Sequence, residues 1–140
     1  MRICDTRAND LSNLSGGANQ CDNSTHGVAK TLTFIVTGLA VVPAGAKAVV
    51  VNLTAVTRAA ATYLTVFPGS TRPLVSGLNP AASDVKGNLT VATLSPTGKI
   101  FIYNNTGSVD VVVDVLAGSR NRQSEGVDGG APTITMVRFS

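Results

Sequence analysis

The chain has 140 residues, of which 44% are hydrophobic, 4% aromatic and 14% charged, and it contains no Trp. This length fits one domain with a real hydrophobic core and excludes a second full domain. The net charge of +3 comes from scattered Lys and Arg rather than a basic stripe with interleaved aromatic residues, so we expect no nucleic-acid partner. No apolar segment approaches the roughly 18 to 20 residues that span a bilayer, so we expect no membrane partner.

Cys4 and Cys21 lie at the two ends of an early polar loop. A disulfide between them would contribute about 3 kcal/mol by closing a loop rich in Gly, Asn and Ser. The alternative is two unrelated buried thiols. Together with His26, the single histidine, these residues fall short of the four ligands of a structural zinc site, and we expect no metal and no cofactor.

Short Val- and Thr-rich segments with alternating polarity predict β-strands along most of the chain. These segments are residues 2–7, 30–38, 46–57, 62–67, 88–94, 99–103 and 109–116. The run Val49-Val50-Val51 is apolar on both faces, which predicts a central strand covered on both sides. The sequence Ser95-Pro96-Thr97-Gly98 favours a type I turn and predicts a hairpin between the strands beside it. A further short strand at a sheet edge is expected near residues 74–78.

Because no amphipathic helix is recognisable, the sequence predicts an all-β fold, an antiparallel β-sandwich that is jelly-roll-like. An open barrel is the competing architecture. The predicted organisation is a sandwich domain over residues 1–118, a flexible linker over 119–131 and a β-prone arm over 132–140. We expect the arm to add as a strand to a neighbouring subunit or a shell protein. Its partner-docking residues would be Arg120, Arg122, Ile134, Met136, Arg138 and Phe139.

Several segments resemble the β-rich repeat modules of secreted and wall-associated actinobacterial proteins. The resemblance rests on residues 2–7 (RICDTR), 20–21 (QC), 41–45 (VVPAG), 48–56 (AVVVNLTAV), 63–68 (YLTVFP) and 111–115 (VVVDV), and covers about residues 2–117. It implies a surface-display or adhesive role and supplies no catalytic residues. The chain departs from those proteins because it shows neither a signal peptide nor a partner domain, and because the resemblance stops near Gly118.

Polar residues offer two candidate sites. Asp5 and Arg7 share one strand face and could bind a ligand carboxylate or sugar hydroxyl, although a structural brace is the favoured interpretation. Four Asn residues, with Asp110 and Asp114, could line a polar cleft or an oxygen-ligand calcium site. We favour Asn side chains bonded to the backbone. These Asn residues are Asn52, Asn79, Asn88 and Asn104.

Three functional hypotheses follow. The first is a non-enzymatic structural surface protein, a capsid decoration protein on the virion exterior of an actinobacterial phage, whose partners are copies of itself and a shell or capsid protein. The observation that supports this hypothesis is a chain that begins at Met and shows no export signal. The alternative is a secreted, cell-surface adhesion or carbohydrate-binding module, which takes a cell-surface glycan as its partner and has Tyr63 and Tyr103 available for stacking. A hydrolase is disfavoured, because no Gly-X-Ser-X-Gly motif accompanies the single His.

Overall fold

The structure, a computed structural model, describes residues 1–8, 13–14, 19–21, 25–57, 59–69, 71–122 and 133–136, with the description of 120–122 and 133–136 confined to the backbone. Within this part of the chain the regular elements are all strands. In chain order they are β1 (Arg2–Asp5), β2 (Lys30–Ile35), β3 (Ala48–Thr57), β4 (Leu64–Phe67), β5 (Val85–Thr93), β6 (Lys99–Asn104), β7 (Val109–Arg122) and β8 (Thr133–Met136).

The strands form two antiparallel sheets, which confirms the predicted all-β, sandwich-like fold. The larger sheet has the order β1-β7-β3-β5, with β8 paired to β7, and the smaller has the order β2-β6-β4. From β1 to β7, consecutive strands lie in opposite sheets. Each connection in this part of the chain therefore crosses from one sheet to the other.

The alternating pattern of β3 determines which residues enter the core. Val49, Val51, Leu53 and Ala55 are buried between the sheets, whereas the even-numbered residues of β3 are partly exposed. The prediction that β3 lies inside its sheet is confirmed, since β5 and β7 flank it. The prediction that both faces are covered is wrong, because Val50 faces outward and is half-buried.

The turn at Ser95–Gly98 has the predicted form but a different role. The Gly98 N–H donates to the Ser95 carbonyl over 2.9 Å, and Gly98 has a φ of +73°. A Cβ at Gly98 would also collide with the side chain of Thr37. The expected hairpin between the strands on either side is not formed, because β5 pairs with β3 and β6 pairs with β2 and β4. The turn is a corner between sheets.

The predicted edge strand near residues 74–78 is reduced to a single bridge. Leu78 pairs with Leu64 at the free side of β4, through a hydrogen bond of 2.8 Å from the Leu64 N–H to the Leu78 carbonyl. The same segment reaches β5, because Asn88 donates to the Gly77 carbonyl and Lys86 to the Asn79 carbonyl. The segment thus lies along the inner side of β5, where the smaller sheet lacks a further strand, and leaves Lys86 and Asn88 exposed.

At its C-terminal end β7 continues through Arg122, beyond the boundary predicted at residue 118. Its last residues pair with β8 of the same chain, in a register from Ser119↔Met136 to Arg122↔Thr133. Because β3 occupies the other side of β7 at Ser119, β8 lies on the β1 side and continues the line of β1. The rest of the predicted linker, residues 123–131, lies outside the described part.

Cys4 and Cys21 are joined as predicted, with Cα atoms 5.3 Å apart. Both residues are buried, and Cys4 lies in the core beside β7. The bond ties Cys21 to β1, and a hydrogen bond of 2.7 Å from the Gln20 N–H to the Ile3 carbonyl supports the same attachment. Gln20 and Cys21 are therefore fixed to the larger sheet.

A charge placed on the inner face of β3 should be far more damaging than one on the outer face of β2. Val51 is fully buried and Thr33 is exposed, so we expect Val51→Asp to lower the free energy of unfolding by about 3 kcal/mol or more. Thr33→Asp should change it by less than about 0.5 kcal/mol. Denaturant titration of both variants measures the difference, and equal losses would contradict the assignment of faces.

Reduction should lower the stability of the protein by about 3 kcal/mol, because it releases the loop closed by Cys4 and Cys21. The mass of the oxidised protein should be two hydrogen atoms below that of the reduced protein. Thermal unfolding with and without reductant measures the loss. The double variant Cys4→Ala/Cys21→Ala serves as the control and should not respond to reductant, whereas free thiols in air-exposed protein would refute the pairing.

Candidate functional site

The first candidate pair, Asp5 and Arg7, forms a closed ion pair. Arg7 donates from Nε and Nη2 to the two carboxylate oxygens of Asp5 over 2.9 and 2.7 Å, and its backbone N–H donates to Oδ1 over 3.1 Å. The hydrogen bonds to Asp5 raise the pKa of the Arg7 guanidinium. Because the Asp5 carboxylate is fully buried, this geometry fits a brace better than a ligand site.

The acidic residues of β7 are also engaged with β1 and its extension. Asp114 accepts hydrogen bonds from Arg2 over 2.9 and 3.0 Å, directly across the ladder, and these bonds raise the pKa of the Arg2 guanidinium. Asp110 is buried and accepts a hydrogen bond of 3.2 Å from the Thr6 hydroxyl. Asp110 and Asp114 do share one face, as predicted, but they hold the first strand against β7.

Asn104 and His26 form a buried polar cluster at the end of β6. The Asn104 amide donates to the carbonyls of His26, Gly27 and Gly107 over 2.8 to 3.1 Å, and its oxygen accepts from the Thr62 hydroxyl. This arrangement matches the predicted Asn bonded to backbone. Among the described residues no group of three His, Cys, Asp or Glu side chains could hold a metal ion.

His26 lies outside the predicted strands, yet it is part of the folded core. Its backbone pairs with Val109, and its side chain is buried with Nε2 3.1 Å from the Ile102 carbonyl. Nε2 therefore carries the proton and donates to that carbonyl. Burial lowers the pKa of His26. The alternating pattern around β2 gave no signal for this, because His26 enters the core through an isolated bridge.

The outer face of the larger sheet is divided into two unlike halves. Beside β1 it is closed, since Asp5, Asp110 and Val112 are buried. Beside β5 it is open and carries exposed aliphatic side chains on either side of Asn52 and Thr54. We name Val50, Val56, Val85, Leu89 and Val91 the outer patch. Val85, Leu89 and Val91 are 68%, 59% and 69% exposed, and they face the same side as their partners in β3.

An apolar hollow of about 230 Å³ continues the outer patch toward the end of β7. It is lined by Ala48, Val49, Val50, Val91, Ala117, Gly118 and Ser119. β5 is the last strand of its sheet along the described path, so its backbone edge lies beside the same apolar surface. An exposed apolar face next to a free strand edge is a typical protein-docking surface.

The outer face of the smaller sheet carries most of the aromatic residues. Tyr103 and Phe101 of β6 point outward, and Tyr63 and Phe67 lie next to them at β4. The ring centroids of Tyr63 and Tyr103 are 6.3 Å apart, and those of Phe67 and Phe101 are 5.6 Å apart. The structure thus brings together the two tyrosines that the sequence offered for stacking.

Arg72 lies over this aromatic surface, a residue that the sequence interpretation did not single out. Its guanidinium carbon is 3.6 Å from the centroid of the Tyr103 ring. A groove of about 240 Å³ runs beside it, lined by Tyr63, Arg72, Pro73, Leu74, Val75 and Ser76. The alternation of β4 and β6 indicated which residues point outward, but nothing in the sequence located the segment that crosses them.

The predicted docking residues of the arm are only partly placed. Arg120 and Arg122 belong to β7 and Ile134 and Met136 to β8, so the structure brings these two pairs onto neighbouring strands. Arg138 and Phe139 lie outside the described residues. Docking of the arm onto a second chain stays a prediction.

No helix in the described part of the chain is long and apolar enough to cross a membrane. Comparison with protein-family models, with curated proteins and with solved structures finds no match to this chain. The surfaces described above are the features of this chain that bear on its function.

The stability of the protein should fall as the pH drops below about 6.5, because the unfolded chain then binds a proton at His26 that the folded chain excludes. Each pH unit below the unfolded pKa costs up to about 1.4 kcal/mol. Above that pKa, His26 is neutral in both states and adds no pH dependence. Urea titrations between pH 7.5 and 5.5 measure the slope.

His26→Gln keeps an N–H that can donate to the Ile102 carbonyl and removes the titrating group. This variant should lose most of the slope between pH 7.5 and 5.5, where carboxylates contribute little. An unchanged slope would assign the pH dependence to another group.

Proposed function

We propose that this chain is a non-enzymatic structural surface protein that decorates the capsid of an actinobacterial phage. In this role it binds neighbouring copies of itself and a shell protein on the virion exterior. The resemblance of residues 2–117 to actinobacterial surface modules supports the host and the exposed location. The observation that carries the proposal is the outer patch.

The outer patch supports assembly because it leaves large apolar side chains in water. Val85, Leu89 and Val91 are each more than half exposed, and Val91 also lines the hollow together with Val50 and Ala117. Burying such side chains in a contact stabilises it by about 25 cal/mol per Å² of apolar surface. The free edge of β5 lies beside the patch and offers backbone hydrogen bonds to the same partner.

We also infer that the sandwich is jelly-roll-like. The support is that strands pair from the two ends of the sequence inward, β1 with β7, β2 with β6 and β3 with β5. A long antiparallel hairpin wrapped into two sheets pairs its strands in this order. The bridge between Leu64 and Leu78 stands where β4 would meet the remaining strand. Jelly rolls are frequent in viral capsids and in lectins, and by fold analogy this supports a surface role.

The absence of catalysis is part of the proposal, and the hydrogen bonds of His26 and of three aspartates support it. The His26 ring is buried and bonded to a backbone carbonyl. Asp110 and Asp114 accept hydrogen bonds from Thr6 and Arg2, and Asp84 accepts one from the Ala81 N–H. Each of these side chains already has a structural partner.

The alternative function is a secreted adhesion or carbohydrate-binding module of the bacterial cell surface. The observation in its favour is the grouping of Tyr63 and Tyr103 on the outer face of the smaller sheet. Aromatic side chains present flat apolar surface together with a hydroxyl, and a sugar ring offers the same combination.

Charges placed in the outer patch should prevent assembly without unfolding the domain. Leu89→Lys and Val91→Lys each keep an exposed position, so we expect a loss of shell binding of at least about tenfold, equivalent to about 1.4 kcal/mol, with little change in stability. The measurement is co-sedimentation of the purified variants with phage shells that lack this protein.

Thr33→Lys is the matched control, because it adds the same charge to an exposed strand residue on the smaller sheet. It should bind shells like the unmodified protein. Sedimentation of the unmodified protein with cell walls but not with shells would favour the alternative function. If Leu89→Lys and Val91→Lys bound shells as well as Thr33→Lys does, the outer patch would not be part of the interface.

A further inference from the structure

The groove beside Arg72 lies on the opposite side of the sandwich from the outer patch. The outer patch belongs to the outer face of the larger sheet, whereas Tyr63 and Arg72 lie against the outer face of the smaller sheet. A contact made through the outer patch would leave the groove free. An inference about the groove therefore goes beyond the proposed assembly role and does not depend on it.

Within the part of the chain that the structure describes, Arg72 is held by an aromatic ring rather than by a carboxylate. The guanidinium lies 3.6 Å from the Tyr103 ring centroid, which fixes its position by a cation–π contact. Its Nη1 atom is buried and has no hydrogen-bond partner among the described residues. No acidic residue is found among the described residues that line the groove. The site thus has a positive charge and an unused donor.

A planar guanidinium is suited to a carboxylate, which can accept two parallel hydrogen bonds from it. An unsatisfied buried donor costs about 1 to 3 kcal/mol, and more when it is charged. A ligand oxygen that reached the guanidinium after a small shift of residues 71–76 would relieve that cost. We therefore expect the group that Arg72 recognises to carry a negative charge.

The other walls of the groove identify the body of the ligand. Tyr63 supplies an aromatic ring, and Pro73, Leu74 and Val75 supply apolar surface, while the Ser76 hydroxyl and the Tyr63 hydroxyl are polar. A sugar ring combines apolar C–H faces with hydroxyl edges and matches this mixture. The volume of about 240 Å³ is below the roughly 300 to 1,000 Å³ of sites for drug-sized ligands, so it suits one sugar unit.

We propose that the groove formed by Tyr63, Arg72 and residues 73–76 binds a sugar that carries a carboxylate, such as a uronic acid unit of a surface glycan. The carboxylate pairs with the Arg72 guanidinium, and the ring packs against Tyr63. Leu74, which is 95% exposed, lies at the rim, where the next unit of a glycan chain would contact it.

The test compares D-glucuronate with D-glucose, which share the ring and differ in the carboxylate. Binding of one sugar unit should be weak, with a Kd on the order of 1 mM. Titration followed by NMR should show shifts at Tyr63, Arg72 and Val75 for glucuronate, with at least tenfold weaker binding of glucose. Equal binding of the two sugars, or shifts confined to other residues, would overturn the proposal.

Variants of Arg72 separate charge from geometry. Arg72→Met should abolish the preference for glucuronate, and Arg72→Lys, which retains the charge without the planar fork, should weaken binding several-fold. Lys30→Met removes the same charge from an exposed position and should bind like the unmodified protein. Circular dichroism of each variant establishes that the fold is kept. Unchanged glucuronate binding by Arg72→Met would refute the site.

Two further ligands test the class of molecule. Acetate should bind at least tenfold more weakly than glucuronate, because it lacks the ring that packs on Tyr63. A short acidic peptide should also bind more weakly. Acetate as effective as glucuronate would reduce the site to a binding site for simple anions, and a tighter peptide would make the ligand a protein segment. Either result would overturn the assignment to sugars.

Discussion

The fold depends on a core in which small aliphatic side chains from two sheets must meet directly. The buried cluster consists mainly of Val, Leu, Ile and Ala, and Phe34 is its single aromatic member among the described residues. Because these side chains are short, the two sheets and the loops that connect them must lie close together for the core to be filled. At Gly118 a Cβ would lie 2.7 Å from Val42 Cγ1, which leaves no room for a side chain where the loop after β2 reaches β7. Close approach is thus required at the ends of the sandwich as well as in its centre.

This constraint also explains where the aromatic residues are. Phe101, Tyr103, Phe67 and Tyr63 face away from the core and gather on the outside of the smaller sheet. There they cover one another and hold Arg72, at a place where no interior packing limits their size. The larger sheet, by contrast, is covered beside β1 and bare beside β5. The two outer faces therefore differ in chemistry, one aromatic and cationic and the other aliphatic.

The sequence predicted the positions of the strands better than it predicted which strands pair with one another. Alternation identified β2, β3 and β6 almost to their ends, because residues of one face are buried together and leave a period of two. It could not show that β5 and β6 separate at Gly98, since a type I turn serves equally in a hairpin and in a corner between sheets. The groove and the burial of His26 were missed for a related reason. Both depend on contacts between segments far apart in sequence, such as Arg72 with Tyr103 and His26 with Ile102.

The position of the first strand decides how the domain would carry mechanical load. Met1 is hydrogen-bonded to Val115 through both its amino group and its carbonyl. Because β1 and β7 are antiparallel, the start of β1 and the continuation of β7 to Arg122 lie at the same end of their ladder. Tension between Met1 and the segment beyond Arg122 would therefore open the β1–β7 ladder from its end, one hydrogen bond after another. The peeling would halt at Cys4, because the force would there be divided with Cys21 through a covalent bond. The disulfide thus acts as a mechanical stop that limits how far the first strand can be pulled away.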